Sequence, residues 1–237
     1  MKKVVYAVVA VIILLSLLVG MYRLMNSRSY QLFGELTDQV DTDEKKVALT
    51  FDDGPTGKVE DILPLLNKYH AKATFFSIGE ELEDHLEIGK EIVKQGHQIG
   101  NHTYSHQRMI FKSPSFIAQE IEKTNQIIRK TGFQGDIDFR PPNGKKLIGL
   151  PYYLMTHHIE TIMWSIEPDT HASTVTAKVR EVTKNARNGS IILLHPMYEK
   201  DSKELEVTEQ ILKNLTNKGY RFVTVNDLQK LAKSDGE

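Results

Sequence analysis

The stretch "VALTFDDGPTGK", residues 47–58, decides how the rest of the chain is read. Val47 to Phe51 is an apolar, β-branched run that predicts a buried strand, and it ends abruptly in Asp52-Asp53-Gly54-Pro55. A buried strand that delivers two adjacent carboxylates to its own tip suits a parallel β/α fold, where reactive groups gather at the C-terminal ends of the strands along one rim.

Working outward, similar short runs recur. They are "KVALTF" (46–51), "ATFFSI" (73–78), "HQIGN" (97–101), "DIDF" (136–139), "ETIMWSI" (160–166), "SIILL" (190–194) and "RFVTV" (221–225). Segments of helical period separate most of them. "VEDILPLLNKYH" places Ile62, Leu65, Leu66 and Tyr69 on one stripe. "SPSFIAQEIEKTNQIIRKTG" starts at Ser113-Pro114, carries Ile117, Ile121, Ile127 and Ile128 on one side and stops at Gly132. "DSKELEVTEQILKNLTNKG" behaves likewise, and "KKLIGLPYYLMTHH" (145–158) has room for a short helix only. Strand, helix and strand in repeated alternation predict an α/β fold, a parallel sheet with helices outside, either open or closed into a barrel.

If the strands are parallel, five polar clusters face one another on the rim. They are Asp52-Asp53-Gly54, Asn101-His102-Thr103-Tyr104-Ser105-His106, Arg140-Pro141-Pro142-Asn143-Gly144, Ser165-Ile166-Glu167-Pro168-Asp169 and His195-Pro196. On one turn of helix, His102 and His106 at i and i+4 share a face, and a carboxylate from another strand would complete a three-ligand set for a divalent metal. Asp53 is the natural third ligand, which leaves Asp52 free to accept a proton from an attacking water. Taken alone, "DDGP" is an ordinary turn and H-x-x-x-H a pair of loop histidines; together they favour the metal reading. His195 has the chemistry to protonate a leaving group, with Asp169 or Glu167 as its carboxylate partner. Arg140, held extended before two prolines, is placed to orient Asp52 and keep it ionised.

These motifs, "TFDDG" (50–54), "HTYSH" (102–106), "RPPNG" (140–144), "WSIEPD" (164–169) and "LLHP" (193–196), resemble the five ordered motifs of the polysaccharide deacetylases. That family is carbohydrate esterase family 4, the NodB-homology domain, and the resemblance runs from about residue 46 to 230. It implies a deformed (β/α)7 barrel, a divalent metal (Zn2+ first, with Co2+ or Ni2+ as alternatives), and hydrolysis of N- or O-acetyl groups on polysaccharides. By position, Asp52 matches the catalytic base, and Asp53, His102 and His106 match the metal ligands. Arg140 matches the arginine that holds the base, and His195 matches the acid. Leu193 matches a residue lining the acetyl-methyl pocket. Pro141, Asn143 and Trp164 join it as expected substrate contacts. Asp169, 26 residues before His195, is preferred over Glu167 as its partner. Two departures stand out: Asn143 where the family has tyrosine, and Thr170 where it has tryptophan.

The N-terminus reads Met1-Lys2-Lys3, then 19 uncharged residues from Val4 to Tyr22. As a helix these span ~28 Å, about one bilayer core. The run is long and lacks a small-residue cleavage pattern, so residues 1–23 are expected to be an uncleaved signal anchor, with a cleaved, secreted form as the lesser alternative. Residues 24–45 read as a polar stalk and 46–232 as the catalytic domain, working outside the cell close to the membrane; the tail "LAKSDGE" is expected to fray. The net charge of −1 gives no electrostatic footprint for nucleic acid, and the absence of cysteine excludes disulfides and thiolate chemistry. The expected partner is an N-acetylated wall or surface glycan, peptidoglycan or poly-N-acetylglucosamine in type, met by a monomer. The alternatives are a small-molecule amidase on the same barrel and a non-catalytic wall-binding protein.

Overall fold

The computed structural model describes residues 1–198 and 203–233. The strands are β1 (Leu36–Thr37), β2 (Lys46–Asp52), β3 (Thr74–Ser77), β4 (Gln98–Asn101), β5 (Thr161–Ile162), β6 (Ile191–Leu194) and β7 (Arg221–Val223). The helices are α1 (Lys2–Asn26), α2 (Val59–Lys68), α3 (Gly79–Asp84), α4 (Leu86–Lys94), α5 (Pro114–Lys130), α6 (Gly149–Thr156), α7 (Val175–Asn185), α8 (Lys203–Asn217) and α9 (Val225–Gln229). The expected helix from Asp201 is described only from Lys203, and the end of the expected fraying tail, 234–237, lies outside the described residues.

Every ladder is parallel: β4 pairs β3, β3 pairs β2, and β2 pairs both β6 and β7. The circuit closes through single bridges. Phe139 joins Asn101 on one side and Thr161 on the other, and Ile166 meets Ile192. This is the deformed barrel, with two of its staves reduced to short contacts. "DIDF" contributes one bridging residue rather than a strand, and "ETIMWSI" contributes the two residues of β5 and one further bridge.

The period-2 alternation of a strand explains where the chemistry points. Along β2, Val47, Leu49 and Phe51 face the outer helices and pack with Ile62 and Leu66 of α2 and Val207 and Ile211 of α8. Ala48, Thr50 and Asp52 occupy the opposite face. Ala48 there packs with Phe76, Trp164 and Leu193. Asp52 therefore enters the barrel interior by register, while the larger apolar side chains secure the outer shell.

The expected stalk at 24–45 is corrected by the structure. β1 pairs with β5, Val40 is buried, and the Val40 N–H donates to the Gly189 carbonyl. Gly189 has φ +73°, and a Cβ there would lie 1.7 Å from the Val40 carbonyl oxygen, so the close approach requires glycine. The segment is polar in sequence because it is an edge strand and a clamp, each burying few side chains. α1 continues to Asn26, has no buried residue, and is long and apolar enough to cross a membrane by length and composition.

One buried titratable group predicts acid sensitivity. His97 lies in the outer core, where its Nδ1 accepts from the Ala73 N–H at 3.2 Å. Burial, with Lys72 adding repulsion, lowers its pKa from 6.5 to about 4. The unfolded chain takes up this proton first, so stability is complete above pH 6.5 and falls toward pH 4. The loss from this group is about 3 kcal/mol. Urea unfolding at pH 7 and pH 4.5 measures it: His97→Gln should flatten the acid limb, and parallel pH curves for the two proteins would refute the assignment.

Candidate active site

The site begins with a change of backbone direction after β2. Asp52 is the last strand residue and is 3% exposed, whereas Asp53 has φ +71°, in the left-handed region. Asp is among the few residues that tolerate this conformation. The two adjacent carboxylates therefore diverge into two environments.

Asp52 meets Arg140 inside the barrel. Nη1 of Arg140 donates to Asp52 Oδ1 at 2.6 Å and to Thr50 Oγ1 at 2.8 Å. Nε and Nη2 donate to the Ile162 and Met163 carbonyls at 3.1 and 2.9 Å. The guanidinium also lies over the Phe76 ring, 4.0 Å from its centroid. Burial lowers the pKa of Arg140, and the Asp52 carboxylate works against that. A wholly buried cation with its fork occupied can only point Asp52 one way, so the position of this carboxylate is fixed.

Asp53 meets the two imidazoles. Its Oδ1 lies 3.7 Å from His102 Nε2 and 3.2 Å from His106 Nε2. One ligand atom from each of the three falls within 4.8 Å of the others. Two observations test whether a cation fits. Asp53 Oδ1 is buried and makes no hydrogen bond among the described residues. His102 Nδ1 donates to the Arg140 carbonyl at 2.7 Å, which leaves the Nε2 lone pair facing Asp53. Burial also lowers the His102 pKa, against the pull of Asp52 and Asp53, which favours the neutral ligand form. The donor set fits a divalent metal of zinc type.

The helical spacing expected for His102 and His106 is not what joins them. Residues 102–106 form an irregular turn after β4, with Thr103 at φ +66° and His106 at φ +54°. The ring centroids come to 4.9 Å through that turn. Its supports escaped the sequence reading. Asn101 Oδ1 accepts from the Thr103 N–H, and Glu120 of α5 accepts from the Ser105 N–H and Oγ at 2.8 and 2.9 Å. A buried glutamate on an otherwise apolar helix stripe was the available signal.

Across the cleft, His195 follows β6. Its Nδ1 lies 2.9 Å from Asp169 Oδ2, and Lys178 of α7 pairs with Asp169 Oδ1 at 2.7 Å. Lys178 also pairs with Glu204, and neither residue was picked out in the sequence. Burial pushes the Asp169 carboxyl up, but its hydrogen bonds from His195 and Lys178 hold it below its ordinary value. Burial also disfavours the His195 imidazolium. The Asp169 hydrogen bond and the charges of Asp52 and Asp53 more than offset this and raise its pKa to about 9. A cation on Asp53 would remove part of that support.

Glu167, the other candidate partner, is engaged elsewhere: its Oε2 accepts from Arg28 at 2.7 Å, Thr170 Oγ1 at 2.9 Å and Trp164 Nε1 at 3.2 Å. Thr170 thus supplies a hydroxyl that ties down Glu167.

Asp52, Asp53, His102, His106 and His195 line a cleft of about 390 Å³, with Trp164, Leu193 and Asn143 on its walls. Asn143 is left-handed at φ +54°, and its N–H donates to no acceptor among the described residues. Pro141, expected to touch substrate, is buried and is not part of the lining. Its role is in the backbone, because its carbonyl accepts from the Gly144 N–H at 2.9 Å and closes the turn that presents Asn143.

The chain is similar to several known proteins. The polysaccharide deacetylase family model matches residues 39–154. A peptidoglycan-N-acetylglucosamine deacetylase of Bacillus cereus is 34% identical over 199 residues, 82% of this chain and 93% of that protein. The peptidoglycan-N-acetylmuramic acid deacetylase PdaC of Bacillus subtilis is 32% identical over 83% of this chain, which spans 41% of that longer protein. Among solved structures, the Bc1960 peptidoglycan N-acetylglucosamine deacetylase superposes with a TM-score of 0.77 at 30% identity, covering 84% of this chain and 94% of the other. A Bacillus anthracis CE4 family pseudoenzyme superposes with a TM-score of 0.75 at 26% identity, covering 86% and 72%.

Proposed function

The chain belongs to the polysaccharide deacetylase family, and on that premise we propose that it hydrolyses N-acetyl groups on cell-wall glycan and releases acetate. One observation carries this reading: a three-ligand cation site stands beside a buried, arginine-held carboxylate, with a carboxylate-backed histidine lining the same cleft. A non-catalytic barrel has no need to hold all seven side chains in register.

Asp53, His102 and His106 would hold the divalent cation, zinc first and cobalt or nickel next. When bound it supplies Lewis acidity at the acetyl carbonyl and acidifies water beside it. Asp52 accepts a proton from the water that attacks the carbonyl carbon, and Arg140 keeps Asp52 aimed. The Asn143 N–H donates to the developing oxyanion. His195, held by Asp169, gives its proton to the sugar nitrogen as the C–N bond breaks, so acetate and a free amine leave together. Leu193 and Trp164 form the apolar wall against the acetyl group and sugar ring. We place α1 in the membrane and the barrel outside it, acting as a monomer.

Acetate release from N-acetylglucosamine oligomers and purified peptidoglycan, with and without chelator, tests the function. Chelator-sensitive release is expected; hydrolysis of small amides with no release from glycan would replace this reading with the amidase one.

Protonated His195 is the active form, so activity should fall as pH rises through its pKa. Asp169→Asn removes the anion that supports the imidazolium. The alkaline limb of kcat/KM should then move down by about 1–2 pH units. An unmoved limb with a merely lower plateau would assign Asp169 a structural role.

A further inference from the structure

The N-terminal segment does more than lead to the barrel: it forms part of the wall of the cleft. Asn26 and Arg28 line the same cavity as Asp53 and His195. They are held there from the barrel side. The Lys146 N–H donates to the Met25 carbonyl at 3.4 Å, the buried Lys146 ammonium donates to the Ser27 carbonyl, and Lys145 Nζ donates to Asn26 Oδ1. Arg28 lies over the Trp164 ring, 5.0 Å from its centroid.

The charges of this cleft are arranged in two levels. Two of its carboxylates are paired with arginine, Asp52 with Arg140 and Glu167 with Arg28, while Asp53 faces the two imidazoles that would share the cation with it. Two of its rim cations have no carboxylate partner among the described residues. Lys145, half-buried in the lining, hydrogen-bonds only the neutral amide of Asn26 among the described residues. Arg108 likewise donates from Nε to the neutral Asn143 Oδ1 at 3.0 Å. Arg28 shares one Nη with Glu167 and keeps its remaining donors. Lys145 and Arg108, without carboxylate partners, and Arg28, with donors to spare, make this rim complementary to an anionic ligand.

We propose that Lys145 and Arg28, with Arg108 near Asn143, are specificity-determining residues that receive a carboxylate carried by the glycan beside the acetylated nitrogen. The inference rests on the deacetylase reading and deepens it, by naming an anionic N-acetylated glycan as the preferred substrate. In a wall glycan that carboxylate has two sources, the 3-O-lactyl group of a muramic acid residue or the stem peptide attached to it.

The full-length chain in detergent micelles is tested on three preparations of one wall glycan. The first is stripped of peptide and has free lactyl carboxylates; the second is the same material as its methyl ester; the third carries stem peptides, with the lactyl group in amide linkage. Wild-type kcat/KM should be about tenfold higher on the free acid than on the ester, mainly through KM, the size of one charge-assisted hydrogen bond. The ratio should fall to near one in Lys145→Gln and in Arg28→Gln, and recover in Arg28→Lys. A purely structural role would lower both rates and leave the ratio unchanged. The peptide-bearing glycan identifies the source: parity with the ester assigns the lactyl carboxylate, and parity with the free acid assigns the peptide. Equal wild-type rates on all three, or a ratio retained in both Gln variants, overturns the proposal. No acetate from any preparation would instead remove the deacetylase reading beneath it.

Discussion

Asp52→Asn should lower kcat for acetate release by about a thousandfold with little change in fold, the scale of losing a positioned general base. Asparagine keeps an oxygen that accepts from Arg140 Nη1 in place of Oδ1. The lost element is the ability to take a proton. Asp52→Ala would have a second consequence. Both variants leave the buried Arg140 charge without its counter-ion, but Asp52→Ala also removes the oxygen to which Nη1 donates, and its cost to stability should be the larger, about 3–5 kcal/mol. The two variants therefore separate chemistry from architecture. If Asp52→Asn retains most of its activity while Asp52→Ala unfolds, Asp52 is a structural counter-ion and the base must be sought elsewhere.

The second large effect is expected at His102. It is nearly wholly buried, its Nδ1 is committed to the Arg140 carbonyl, and its Nε2 faces Asp53. Removing a group that only orients a ligand typically costs 10–100-fold in metal affinity, so removing the ligand itself should cost more than about 100-fold. His102→Ala should lose activity with the metal, and excess zinc should restore little of it. His102→Gln fills the space, but its amide is a weak metal ligand, so it should behave nearly as poorly. Glu120→Gln offers a milder comparison, because it weakens only the anchor of the Ser105 turn.

Much of this site was legible in the sequence because its reactive residues follow strands with strong local signals. Val47–Phe51 and Ile191–Leu194 are dense apolar runs, so Asp52, Asp53 and His195 were placed on one rim without long-range information. The contacts that hold them were harder to read. β1 and β5 are two residues each, too short for any periodicity to show. The turn joining His102 to His106 uses positive φ at threonine and histidine, which residue type does not announce. Lys178 and Glu204 lie on two different helices, and Lys178 joins Glu204 to Asp169 only once the barrel closes. The N-terminal segment misled most. Its polarity suggested a stalk, yet backbone pairing and lysine-to-carbonyl bonds secure it, and these need no apolar side chains.

The proposed chemistry requires Asp53, His102 and His106 to hold one divalent cation together. Metal analysis of the purified chain, with titration of the stripped protein by zinc, cobalt and nickel, measures this. One ion per chain is expected, taken up by the wild type and by Asp52→Asn but not by His102→Ala or Asp53→Ala. A folded protein that takes up none of the three metals, or a His102→Ala variant that binds as tightly as the wild type, would contradict it.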